Sequence, residues 1–190
     1  MSRPDVTVIG AGLAGVEAAC TLARRGVRVD LFEMRPVAMT PAHTTDLLAE
    51  LVCSNSLKGT DPLTAHGILK REMAGLGSVT LDAASRTRVP AGKALAVDRE
   101  AFARTVTDEV SSNRLISVIR QEVASIPRTG LTVIATGPLT SDAMVRSLAS
   151  LTGSGSLYFY DAISPIVDAR SVDMDHAFFS SRWDPGATDY

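Results

Sequence analysis

A chain of 190 residues with 45 % apolar and 21 % charged residues can bury one domain-sized core, which excludes a disordered or fibrous polymer. A formal net charge of −2 and a pI near 5.9 leave no overall basic footprint, although a local basic patch can hide inside a neutral total. No apolar run reaches the ~18 residues of a membrane span, a strand begins within a few residues of Met1, and Cys20 and Cys53 make no disulfide framework; the expectation is a cytoplasmic protein without membrane contact.

Val6-Thr7-Val8-Ile9 is a short β-branched run of the kind buried on both faces of a parallel sheet. Gly10, Gly12 and Gly15 follow in G-x-G-x-x-G spacing, and residues of high helix propensity fill Leu13 to Arg25 before Gly26 ends the helix. Val27 to Phe32 reads as a second strand closed by Glu33, 18 positions after Gly15. Strand, glycines, helix, strand and acid in this register form a βαβ dinucleotide-binding unit. Gly10 permits the tight turn, Gly12 lets the backbone approach a pyrophosphate, and Gly15 brings helix and sheet close. The N–H groups at the helix start face the phosphates. Glu33 can accept hydrogen bonds from ribose hydroxyls and would repel a 2′-phosphate, which favours FAD or NAD over NADP.

Met34 to Thr45 has no period and reads as a loop leaving the carboxyl edge of the sheet. In it, Arg35 either reaches the adenosine side of the cofactor or is a solvated surface group, and His43 reads as a surface or capping residue. Asp46 to Leu51 reads as one or two helical turns. Leu63 to Leu76 has the period of an amphipathic helix, with Leu63, Ile68, Leu69, Met73 and Leu76 on or near one face and His66 structural or solvent-facing. Ser78 to Ala96 reads as short strands and turns, and Asp98 caps a helix through about Val110. Leu115 to Ile119 and Val123 to Ile126 are short strand candidates. Leu131 to Ala135 is a buried strand running into Thr136-Gly137-Pro138, a turn placed to return beneath the cofactor. Thr140 or Ser141 opens a helix to about Leu151, and Leu157 to Tyr160 and Ile163 to Val167 are further strand candidates.

Cys20 lies among Ala18, Ala19 and Leu22 and reads as a buried, inert thiol. Cys53 follows the cofactor-strand loop among small polar residues, Ser54, Asn55 and Ser56. It is either a chemical group or a partly buried structural cysteine. There is no metal-ligand set and no G-x-S-x-G elbow.

The runs VIGAGLAGVEAA, FEMRPVAMTPAHTT, ELVCSNSLKG, RVPAGKALAVDR, VIATGPLT and LYFYDAISPIV together resemble the folate- and FAD-dependent tRNA (uracil-5-)-methyltransferase family, from about Val6 to Tyr190. The resemblance implies methylation of the T-loop uridine of tRNA at C5, with 5,10-methylenetetrahydrofolate as carbon donor, FAD as cofactor and NADH or NADPH as reductant. It implies that Gly10, Ala11, Gly12, Leu13, Ala14 and Gly15 hold the FAD pyrophosphate, Glu33 the ribose, and Thr136 and Gly137 another part of the flavin. It also raises Cys53 to the candidate catalytic residue, as nucleophile at uracil C6 or as an acid, base or shield. Members of that family are about twice this length, so the chain reads as an N-terminal portion, inactive alone. The expected architecture is α/β: a Rossmann-like parallel sheet with helices on both faces, in which Val6–Ile9, Arg28–Phe32 and Leu131–Ala135 are neighbours. Residues 1–153 form the FAD-binding domain with an excursion at about 34–99, and 154–190 begin a second, substrate-side domain. The competing readings are a related enzyme acting on ribosomal RNA, a non-catalytic nucleotide-binding remnant, and a plain NAD-dependent oxidoreductase. No oligomeric state is implied.

Overall fold

A computed structural model of the chain describes residues 4–153 and 169–177. The predicted unit is present as β1 (Val6–Ile9), α1 (Leu13–Arg24) and β2 (Val29–Glu33). The excursion holds β3 (Ser56–Gly59), α2 (Ala65–Gly75), α3 (Val79–Arg86), β4 (Arg88–Val89) and β5 (Ala94–Val97). Then follow α4 (Arg99–Ser112), β6 (Ile116–Arg120), β7 (Leu131–Ile134) and α5 (Asp142–Thr152). The main sheet is parallel in the order β6-β2-β1-β7, so the three strands expected to be neighbours are neighbours. A small antiparallel sheet, β3-β5-β4, is made entirely by the excursion.

Register explains where the core lies. Val6, Val8, Val29, Leu31 and Ile116 share one face of the sheet, because in-register parallel strands alternate together. That face is closed by Val16, Ala19 and Ala23 of α1 and by Phe102, Val106 and Val110 of α4, all buried. The excursion adds Val79, Ala83, Leu95 and Val97 to the same core, so it is part of the domain rather than an appendage. On the opposite face, Thr7, Asp30 and Phe32 border a depression closed by residues 121–127. The Ile126 N–H donates to Ser147 Oγ (3.0 Å), which ties this segment to α5. β7, expected to be buried, is instead one of the two sheet edges among the described residues, with Leu131 and Val133 exposed on it.

Several expected elements differ. Residues 79–86 are a helix rather than strands, because Ser78 Oγ caps Leu81 N–H and Glu17 of α1 supplies a carboxylate at the helix start. Glu17 Oε1 accepts from Ser78 Oγ, from Thr80 N–H (3.0 Å) and from Thr80 Oγ1 (2.6 Å). Burial pushes this carboxyl up, but the Ser78 and Thr80 donors outweigh it and hold it below its ordinary value. Glu17→Ala strands three donors at once, and a loss of about 1–3 kcal/mol in urea unfolding is expected. Residues 46–51 form turns rather than helix, and 123–126 pair with no strand. α2 is helical as expected, but only Gly67 on it is buried; Ile68 and Leu69, with the flanking Leu63 and Leu76, face solvent. The strand candidates at 157–160 and 163–167 lie outside the described residues. No helix among the described residues is long and apolar enough to cross a membrane.

Candidate functional site

The carboxyl ends of β1, β2 and β7 meet around a cleft enclosing about 620 Å³ of empty space, part of it open to solvent. This is the edge at which ligands of open α/β sheets bind. Gly10, Ala11 and Gly12 form its floor, Glu33 and Arg35 one wall and Thr136 another; His43, Glu50, Thr140 and Met144 complete it. Leu13, Ala14 and Gly15 lie behind the floor in the first turn of α1, and Gly137 starts the helical turn after Thr136. None of these four, and not Cys53, lines the cleft.

Each glycine has a different local reason. A Cβ on Gly10 (φ +96°) would stand 2.7 Å from the Ala135 carbonyl oxygen, so β1 and β7 can turn into the cleft side by side only here. A Cβ on Gly15 would stand 1.8 Å from the Gly10 carbonyl oxygen, which makes this the point of closest helix–turn packing. A Cβ on Gly12 would meet nothing within 4 Å. The space above Gly12 is open, and it lies at the start of α1. That helix has no side-chain cap and no acid in its first turn, whereas Thr64, Ser78, Asp98 and Ser141 cap α2 to α5. Uncapped N–H groups at a helix start beside such open space are suited to an anion.

The wall beside them is a buried charge network. Glu33 is 6 % exposed and Arg35 1 %. Ala11 N–H donates to Glu33 Oε2 (3.1 Å), while Arg35 N–H (3.1 Å) and Nε (2.9 Å) both donate to Oε1. Arg35 Nη1 continues to Glu50 Oε2 (2.8 Å) and to the Thr45 carbonyl (3.3 Å). Glu50 also accepts from the N–H and hydroxyl groups of Thr44 and Thr45. Arg35 is therefore not solvated; it clamps two carboxylates. Burial pushes Glu33 up, but the hydrogen bonds and charge of Arg35, with the Ala11 N–H, hold it below its ordinary value. Glu50 is held low in the same way, its Thr44 and Thr45 donors outweighing burial. Glu33 Oε2 makes a single bond, which leaves it an acceptor position for a hydroxyl.

His43 and Glu50 were not recognised as site residues from the sequence. His43 is half-buried, shares a 2.7 Å hydrogen bond with Thr40 Oγ1, and has its pKa lowered by burial first and by the Arg35 charge second. It therefore enters the cleft as neutral imidazole at neutral pH. The sequence signal was present but non-local: an acid 15 residues beyond an arginine, followed by buried Leu51.

Cys53 is exposed. Four residues before it, Ala49 donates its N–H to the Ala11 carbonyl (2.9 Å), so the Cys53 Cα lies within ~14 Å of Ala49. The thiol is tethered to the glycine turn rather than placed in the cleft. Cys20 is buried as expected, and burial pushes its thiol up to about 11.

A family model described as glucose inhibited division protein A matches residues 5–190. The enzyme named methylenetetrahydrofolate–tRNA-(uracil-5-)-methyltransferase TrmFO of Brevibacillus brevis is 54 % identical over 190 residues, all of this chain and 43 % of that protein. Its namesake from Anoxybacillus flavithermus is 56 % identical over 186 residues, 98 % of this chain and again 43 % of the relative. The chain thus spans about two fifths of the length of these relatives. Among solved structures, Aquifex aeolicus GidA superposes with a TM-score of 0.58 at 21 % identity, over 72 % of this chain and 25 % of that one, a likeness of fold. The family resemblance drawn from the sequence blocks holds over the whole chain, which belongs to the glucose inhibited division protein A family.

Proposed function

We propose that the cleft takes the adenosine diphosphate half of FAD, within a protein that methylates C5 of the T-loop uridine of tRNA. Methylenetetrahydrofolate is the carbon donor and NADH or NADPH the reductant. The observation that carries the binding part is the open space above Gly12 beside the uncapped start of α1. The N–H groups of Leu13, Ala14 and Gly15 suit the pyrophosphate, since no lysine lines the cleft and Arg35 is already engaged. The free acceptor position on Glu33 Oε2 suits a ribose hydroxyl, and Thr136 with Gly137 borders the flavin side. The reaction part is supported by the names of the relatives.

FAD, when bound, supplies the two electrons by which a methylene carbon becomes a methyl group. The chain's own contribution is a thiol. Uracil C5 is a weak nucleophile, and addition of the Cys53 thiolate at C6 places the electron pair on C5. After the carbon is attached, loss of the C5 proton and expulsion of the thiolate restore the double bond. We place the end of the dinucleotide-binding domain at Gly153, which closes α5 in the left-handed conformation.

The test separates the two halves. The purified intact protein that contains this chain is expected to show flavin absorbance close to one per chain, and Cys53→Ala in it to keep that absorbance while losing uridine methylation by ~100-fold or more. A colourless protein sinks the cleft assignment, and full methylation by the alanine variant removes Cys53 from the reaction.

A further inference from the structure

The chain has three lysines, Lys58, Lys70 and Lys93, and all three fall in the excursion. Among the described residues none makes an ion pair. They are close together. Gly59 of β3 pairs with Ala94 of β5, and Thr60 N–H donates to the Lys93 carbonyl (3.1 Å), so Lys58, in the irregular part of β3, and Lys93, just before β5, flank the same strand pair. Lys70 on α2 is disfavoured as a cation first by burial and then by the positive charge of Lys58. The acids of this region do not neutralise them: Asp61 accepts the Leu63 N–H within its own turn, and Glu72 makes no ion pair. Beside the lysines the fold leaves Leu63, Ile68 and Leu69 facing water, Leu63 at 90 % exposure.

Holding cations together without counter-charge costs energy that an arriving anion relieves. The position is also informative. The chain runs from exposed Cys53 directly into β3, and Lys58 lies five positions after Cys53, a reach of at most ~18 Å. We propose that Lys58, Lys70 and Lys93 form the phosphate-gripping part of an RNA interface, which holds the backbone while the target base is presented to Cys53. The exposed leucines and isoleucine pack against its apolar faces. This rests on the reading of the intact protein as a tRNA-modifying enzyme. An RNA fits better than an acidic protein because the cluster is a spaced lysine set with few hydrogen-bonding neighbours, which suits a repeating phosphate backbone.

The experiment is equilibrium binding of an unmodified tRNA transcript to the flavin-loaded protein across a salt series. The K58Q/K70Q/K93Q variant is compared with R25Q/R114Q/R128Q, which removes the same charge from exposed sites elsewhere. The lysine variant is expected to bind ~100-fold more weakly at about 0.1 M salt and to lose about 2–3 from the log–log salt slope, the control far less. Equal losses in both variants, or none in the lysine variant, overturn the interface. Absence of tRNA binding by the wild-type protein overturns the underlying reading as well. Should the triple variant misfold, amine acetylation of the wild-type protein decides: bound tRNA is expected to protect Lys58, Lys70 and Lys93, and unprotected lysines reject the proposal.

Discussion

Arg35→Met is expected to cost about 3–5 kcal/mol of unfolding free energy near neutral pH, and to release bound flavin. The arginine is 1 % exposed and its guanidinium bridges Glu33 and Glu50, so methionine fills much of the volume but leaves buried Glu33 and part-buried Glu50 close together without the cation between them, with only their N–H and hydroxyl donors. Glu33 also holds the Ala11 N–H, so the defect is transmitted to the floor of the cleft. The pH dependence gives the mechanism away. In the wild type both carboxyls are held below the ordinary 4.5, so their contribution is full above that value and is lost as pH falls through the lower folded values. In the variant Glu33 loses the guanidinium's hydrogen bond and charge, so its folded value rises and acidification costs the variant less, while Glu50 keeps its Thr44 and Thr45 donors. The gap between the two proteins must therefore narrow on acidification. Urea unfolding at about pH 7 and about pH 4.5 measures it, and a gap that stays constant would show that Arg35 contributes packing rather than charge.

The same network shows where sequence reading succeeds and stops. The β1–α1–β2 unit was legible because its determinants are local: glycines at fixed offsets, a helical run, an acid closing the next strand. The helices α4 and α5 were legible for a similar reason, since Asp98 and Ser141 cap them within three residues. α3 was misread because Val79-Thr80-Leu81 has strand character, and what overrides it is Glu17, more than 60 residues earlier. α2 has the period of a buried amphipathic helix, yet it packs through Gly67, whose missing Cβ accommodates the Asp61 carbonyl, and leaves its leucines outside. Periodicity reports that an apolar face exists; it does not report that the domain covers it.

The site divides along the same line. Gly10, Gly12 and Glu33 were legible, but Arg35 stayed ambiguous because its burial depends on Glu50, and Glu50 is held by Thr44 and Thr45 in a loop without period. That loop is fastened to the glycine turn on both sides of Ala11: its N–H goes to Glu33, and its carbonyl receives Ala49. The segment leading to Cys53 is thus anchored to the floor of the cleft by contacts no local pattern announces.

Two alanines three residues apart are expected to fail in opposite ways. At Gly15 the new Cβ falls 1.8 Å from the Gly10 carbonyl oxygen and 2.9 Å from its carbon, both backbone atoms with no rotamer to escape into. Helix α1 must move off the turn, and Gly15→Ala is expected to lose about 3 kcal/mol or more, beyond the ordinary overpacking range. At Gly12 the Cβ meets nothing, and the backbone (φ −72°) is one that alanine adopts freely. Gly12→Ala should therefore unfold within about 0.5 kcal/mol of the wild type. Its methyl group enters the space left for the anion, however, and losing one charge-assisted N–H bond of about 1.5–3 kcal/mol weakens FAD by roughly 10- to 100-fold. Thermal unfolding in flavin-free protein and FAD titration by fluorescence quenching read the two effects separately. If Gly12→Ala binds FAD as tightly as the wild type, the open space above Gly12 is not where the cofactor's phosphates lie.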